Sequence, residues 1–183
     1  KGESDIVIQR EQDKYWQMSA WLNDAGSAAT GRYQGGTALY LNNIASLSDI
    51  FYVSYGHDIA PKQTRKGNDN KSIGYSVPWG FWWLDLYASQ SHYQQRLTGN
   101  WSEWALDNKN SYYSAQLNRL LSRTLFQTTT AGLQIFNTSS RYSLNDRDLI
   151  SMHKKSAGWK ALLQHEMHDD NAALTTTLSY QRK

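Results

Sequence analysis

Three sets of residues in this chain have types and spacings that invite a chemical reading. His165, Glu166 and His168 bring two imidazoles and a carboxylate within four positions. A zincin-type metal site needs its two His at i and i+4 on one helix face; here they stand at i and i+3 at a strand end, so turn polarity explains them better. Ser76 sits in Gly74-Tyr75-Ser76-Val77-Pro78, which lacks the second Gly of a nucleophile elbow and the strand–turn–helix that would present the serine. Asn100-Trp101-Ser102 and Asn137-Thr138-Ser139 match the glycosylation acceptor pattern, which says little without a secretory eukaryotic setting. There is no glycine-rich phosphate cradle and no metal-spaced carboxylate set. The chain contains no Cys, which excludes a disulfide scaffold and thiolate metal sites. The expectation is a protein that is not an enzyme and uses no cofactor or metal.

Two further groups suit contact with a partner or a membrane. Trp79, Trp82, Trp83, Trp101 and Trp104 could stack on sugar rings, or could lie at the headgroup level of a membrane, since indole has an apolar body and a polar tip. Trp79, Trp82 and Trp83 flank a tight turn, where a membrane-interface residue belongs. Trp101 and Trp104 stay open between the two roles. Asp85, Tyr87, Gln134, Lys160 and Gln164 fall on the polar positions of alternating segments. Such residues would line a wet wall, where each could touch a passing chain or simply be solvated.

Alternation requires strands to carry it. Only 39% of the 183 residues are hydrophobic, yet there are 8 Trp and 12 Tyr, so disorder is not expected. Net charge is +3 without a run of like charges, which does not suggest nucleic acid as a partner. No apolar run approaches the ~20 residues of a membrane-spanning helix. The dyad pattern is clearest over Tyr15–Leu22, Arg32–Leu41, Asp49–His57, Ser72–Pro78, Phe81–Leu97, Thr129–Tyr142, Leu149–His165 and Ala172–Gln181. A short leading strand is expected over Asp5–Gln12. Ser111–Phe126 also fits one face of a helix through Leu117, Leu120 and Leu121, but its context favours a strand. Arg119 and Arg123 share parity with apolar Leu117 and Leu121, so either both lie near a rim or a bulge reverses a face. Asp58–Lys71 and Thr98–Asn110 are expected as loops. Compact turns near Asn42, Pro78, Gln127 and Asp169 alternate with mostly longer loops near Ala28, Lys66, Trp104 and Asn145. Short turns on one side and long loops on the other, joined to dyad alternation, are the pattern of an outer-membrane β-barrel.

Several segments resemble the haemolysin-activator transporters of two-partner secretion, a family that includes transporters of filamentous haemagglutinins and contact-dependent inhibition toxins. They are Gly31-Arg32-Tyr33-Gln34, Leu39-Tyr40-Leu41-Asn42-Asn43 and Leu47-Ser48-Asp49; Tyr75-Ser76-Val77-Pro78-Trp79-Gly80 and Ser89-Gln90-Ser91-His92-Tyr93; and Leu117-Asn118-Arg119-Leu120-Leu121-Ser122-Arg123. Gly2-Glu3-Ser4-Asp5-Ile6-Val7-Ile8 is similar to the end of the last periplasmic POTRA domain. The resemblance implies an all-β antiparallel transmembrane barrel of which this chain holds about the first nine of sixteen strands. Residues 1–12 would then be the POTRA end or linker, and residues 13–183 the N-terminal half of the barrel. It further implies a bacterial outer-membrane pore, bounded by lipid, that exports a large partner exoprotein without ATP. The chain opens on Lys1-Gly2-Glu3 with no export signal, so a removed leader is expected. The Arg-Gly-Phe-type pore-loop motif and the substrate-binding POTRA domains have no counterpart here. Two alternatives stand beside this reading: a soluble β-sandwich binding carbohydrate through its Trp residues, and a passive porin-like channel.

Overall fold

The computed structural model describes residues 14–24, 33–59, 67–98, 103–145, 147–169 and 172–183. The expected leading strand over Asp5–Gln12, and Trp101, lie outside them. Ten strands form one antiparallel sheet: β1 (Trp16–Asn23), β2 (Gln34–Asn42), β3 (Ile50–Asp58), β4 (Gly67–Trp79), β5 (Trp82–Thr98), β6 (Glu103–Arg123), β7 (Gln127–Leu144), β8 (Arg147–Asp148), β9 (Lys154–Asp169) and β10 (Ala172–Arg182). Nine of them follow one another as neighbours in chain order, and the two-residue β8 folds back on β7. A sandwich needs two packed sheets. Among the described residues there is only one, which overturns the expectation of a sandwich as an alternative.

Two segments differ from the sequence expectation for a physical reason, and a third, whose pattern also fitted a helix, is the strand its context favoured. The loop expected over Thr98–Asn110 is strand from Glu103 onward, pairing from Thr98↔Glu103 down to Trp82↔Arg119. The loop expected over Asp58–Lys71 gives way to β4 at Gly67. In both places polar residues occupy both faces, so alternation fades although the backbone ladder continues. Ser111–Arg123 is strand rather than helix, and its register shifts between Leu120 and Ser122. One extra residue there breaks the dyad period and leaves a spacing that mimics a helix face.

The turns sort by end. Residues 43–49, 80–81, 124–126 and 170–171 connect strands at one end, and 24–33, 59–66, 99–102 and 145–153 at the other. Gly80 takes a φ of 60° at the first position of the two-residue β4–β5 turn, a conformation glycine adopts without a steric penalty. The β2–β3 turn is organised differently, around Asp49, which is only 1% exposed. Its carboxylate accepts from the backbone N–H of Ala45 at 3.1 and 3.2 Å and of Leu47 at 3.4 Å. Burial pushes this carboxyl up, but those N–H groups, its own, and the Tyr75 hydroxyl outweigh burial and hold it below the ordinary aspartate value. Asn43, Ser46 and Ser48 adopt positive φ to aim the turn at it.

Direct cross-strand partners share a face of a sheet, so the registers can be read as rows. One row runs Trp16, Leu41, Phe51, Tyr75, Leu86, Ala115, Ile135, Trp159. Every member from β1 to β9 is apolar or aromatic, and the row ends at the β10 edge on Arg182. On this face the apolar stretch is not level. At β1 it extends to Leu22, whose row reads Gly35, His57, Asp69, His92, Lys109 and Arg141 farther on. At β9–β10 it has moved the other way, to Met167 opposite Leu174. The apolar band therefore crosses the strands obliquely, as it must when tilted strands cross a layer of fixed orientation.

Ordinary burial is inverted. Among the described residues no hydrophobic side chain is buried, whereas Asp49, Asp58 and Asn118 are. Along β7 the apolar-face residues Leu133 and Ile135 are exposed, while Gln134, Phe136, Thr138 and Ser140 on the other face are half-buried. Among the described residues nothing packs on either face, so the less exposed side chains are those that converge. The polar face is the concave one.

Candidate pore wall

The concave face is built by the alternate positions of every long strand. A single row across it contains Asn42, Ile50, Ser76, Asp85, Gln116, Gln134, Lys160 and Gln181. Three of the residues expected to line a wet wall, Asp85, Gln134 and Lys160, thus stand in one line. Tyr87 lies one row away, paired with Gly74 and Ser114, and Gln164 lies on the same face of β9, paired with Thr130 and Thr177. All five share the concave face.

Asp85 is the most highly bonded of them. It accepts from Ser76 Oγ at 2.6 Å and from Asn118 Nδ2 at 2.8 Å, and Gln116 Nε2 donates to Asn118 Oδ1 at 2.7 Å. The network leaves no room beyond Asn118, because a Cβ on Gly132 opposite would come within 2.5 Å of Asn118 Oδ1. Asp85 is held by neutral donors, with no ion pair to a described residue, so its charge faces the concavity uncompensated. Ser76 donates its hydroxyl to this network. Elsewhere Gln164 Nε2 donates to Glu166 Oε1 at 2.6 Å, and Gln134 Nε2 to the Tyr112 hydroxyl at 3.4 Å.

The Tyr87 row adds aromatic surface: Tyr40, Tyr52, Tyr87 and Phe136 fall in it, and Tyr112 in the next. The Tyr40 and Tyr52 rings lie 4.8 Å apart, and those of Tyr87 and Tyr112 6.1 Å apart. Sequence reasoning missed Tyr40, Tyr52, Tyr112, Gln116 and Asn118. Strict parity along β2, β3 and β6 would have found them, but the helix-like run in β6 obscured it.

The three turn-flanking Trp residues separate. Trp79 and Trp82 are cross-strand partners on the apolar face, 85% and 39% exposed. Trp83 pairs with Pro78 and Asn118, which puts it on the concave face with Asp85. Adjacent strand residues point to opposite sides, so the three cannot form one belt. Trp104 is exposed at the start of β6. Arg119 is on the apolar face, its guanidinium carbon 4.9 Å from the Trp82 ring centre. The bulge that follows pairs Arg123 with Thr128, on the parity of the concave face. His165 and His168 point to opposite faces, and His165 Nδ1 contacts Thr129 Oγ1 at 2.9 Å, so the pair cannot share a metal. Chemically the arrangement is a curved wall of amides, hydroxyls, tyrosines and a few charges, suited to transient contact with a solvated chain.

The family model described as haemolysin secretion/activation protein ShlB/FhaC/HecB matches residues 2–182. The chain is 33% identical over 123 residues to the outer membrane transporter CdiB-2 of Burkholderia pseudomallei strain 1026b, covering 67% of this chain and 21% of that protein. It is 24% identical over 182 residues to the outer membrane transporter CdiB of Dickeya dadantii strain 3937, covering 99% of this chain and 32% of the relative. Among solved structures, CdiB from Escherichia coli superposes with a TM-score of 0.88 at 20% identity, over 94% of this chain and 32% of that one. CdiB from Acinetobacter baumannii gives 0.75 at 21% identity, over 91% and 31%. These likenesses show the fold. The chain spans about a fifth to a third of the length of the relatives it matches.

Proposed function

The chain belongs to the haemolysin secretion/activation family, whose members are transporters and not enzymes, and from that membership we propose that its sheet is part of an outer-membrane pore that exports a large partner exoprotein. In this reading residues 13–183 supply about nine of sixteen barrel strands, and residues 1–12 lead in from a periplasmic POTRA domain. The apolar face meets lipid, with Trp79 and Trp82 at an interface. The concave face meets water and the passing chain through Asp85, Tyr87, Gln134, Lys160 and Gln164. The end with the compact turns faces the periplasm. The exoprotein is a haemolysin, an adhesin or a contact-dependent inhibition toxin, and it crosses unfolded, without ATP.

The observation that carries the reading is the inverted exposure of the two faces together with the oblique apolar band. A water-soluble sheet buries its apolar face; this one exposes it and curves its polar face inward. The face assignment is tested by introducing single Cys residues at Leu84 and at Asp85 in the full-length transporter in cells. A membrane-impermeant thiol reagent should label the Asp85→Cys protein and spare the Leu84→Cys protein; equal labelling would sink the assignment. Export is tested with purified full-length transporter in liposomes and an unfolded exoprotein. Uptake without nucleotide is expected, and a requirement for ATP would refute the mechanism. Passage of small solutes alone, with no exoprotein transported, would favour a passive porin-like channel.

A further inference from the structure

Beyond the apolar band, the convex face becomes basic over a small area. The first polar row there contains Lys71, Gln90, Ser111, Ser139 and Lys155, and the next contains Asp69, His92, Lys109 and Arg141. Lys109 and Arg141 are direct cross-strand partners. Like charges placed directly opposite each other destabilise a sheet unless an anion sits between them. The nearby carboxylates are hydrogen-bonded chiefly to His92 and Gln94, although Asp107 also feels the charge of Lys109 without forming an ion pair with it. Asp107 Oδ2 accepts from Gln94 Nε2 at 3.0 Å and lies 2.8 Å from His92 Nε2, while Asp69 lies 3.4 Å from His92 Nδ1. Among the described residues, neither Lys71, Lys109, Arg141 nor Lys155 forms an ion pair.

Two concavities lie along this face, bridged by a hollow of about 400 Å³ that Lys71, Ile73, Ala88, Gln90 and Tyr113 line. A groove of about 420 Å³ is lined by Lys71, Gln90, Lys109, Ser139 and Arg141, with Asp69 on one side held against His92. Toward the apolar band lies a depression of about 670 Å³ lined by Phe51, Ile73, Leu86, Ala88, Tyr113 and Ile135. Gln90 Nε2 donates to the Tyr113 hydroxyl at 3.3 Å and marks the border between them. A basic groove directly above an apolar trough matches a molecule with an anionic head and a hydrocarbon tail.

We infer that this face holds one phosphorylated lipid of the outer leaflet, its phosphate between Lys109 and Arg141 and an acyl chain along the trough. A guanidinium beside an ammonium suits a phosphate, giving charge-assisted hydrogen bonds at headgroup depth. Lys71 and Lys155 flank the site and serve a second anionic group of the same headgroup. The inference rests on the proposed face assignment and orientation, which the Cys labelling tests separately.

The test is native mass spectrometry of the full-length transporter in detergent, titrated with lipid A as the phosphorylated outer-leaflet lipid. One lipid A should be retained per transporter, with at least about tenfold weaker retention by the Lys109→Gln/Arg141→Gln variant. Dephosphorylated lipid A should bind as weakly to the wild type as lipid A does to the variant. Equal retention by wild type and variant overturns the proposal. So does full competition by equimolar inorganic phosphate, which would mark a free-anion site rather than a lipid site. Heat-dependent gel mobility confirms that the variant forms its barrel; should it not, Lys155→Gln alone must weaken retention several-fold. Loss of lipid retention with correct labelling at Leu84 and Asp85 would separate this site from the face assignment.

Discussion

Asp85, Asn118 and Gly132 form the tightest polar arrangement on the concave wall. Replacing Asn118 by Leu leaves Asp85 with Ser76 alone and removes the acceptor of Gln116, so the full transporter should lose roughly 1–3 kcal/mol in a denaturant titration. Gly132→Ala should also destabilise, through the crowding of Asn118 Oδ1, and that effect should disappear when Asn118 is already Ala. A double-mutant cycle reads this coupling directly. Asp49 gives a pH prediction. Its folded-state pKa is depressed, so the stability it contributes is complete above its unfolded value of 3.8 and lost as pH falls through the lower folded value. Urea unfolding between about pH 2 and 5 should therefore show an acid limb in the wild type that is diminished in the Asp49→Asn variant. An unchanged pH profile would mean that the turn does not depend on this carboxylate.

At the scale of the strand, position along the oblique band decides the effect of a substitution. Leu86→Arg, in the middle of the apolar stretch of β5, should cost roughly 2–4 kcal/mol, and Ser111→Arg, one row beyond the band, roughly 0–1 kcal/mol. Refolding titrations into lipid vesicles measure both, and equal penalties would contradict the band's placement. This scale also shows where the sequence was legible. Phe81–Leu97 and Thr129–Tyr142 could be read because one face is apolar and the other wet, which imprints a dyad period. That imprint fails wherever both faces are polar, so the starts of β4 and β6 read as loops. It fails again at Leu120–Ser122, where one inserted residue resets the phase. The five wall candidates came directly from parity. Trp83 was grouped with its neighbours by closeness to the turn, although alternation separates it from Trp82. The Asp85–Asn118 bond joins residues 33 positions apart and depends on the β5–β6 register, which composition does not reveal.

For the whole molecule, the sheet has two open edges among the described residues, β1 and β10. In a bilayer, unpaired edge groups find no water to bond, so each edge needs a neighbouring strand. The 183-residue chain refolded by itself into lipid vesicles should accordingly give aggregates or edge-paired oligomers. A heat-resistant, protease-protected monomer would show that the edges are satisfied in some other way. The slant of the apolar band bears on the wall as well. Rows of paired residues run across the strands, so if strands lean by roughly 35–45° the rows climb around the axis at a matching angle. The tyrosines at 40, 52 and 87 and the amides at 116 and 134 would then be ramps and not rings. A polypeptide moving straight along the axis would meet them one after another, like the grooves of a rifled bore, and would never face a full collar of one chemistry that could arrest it.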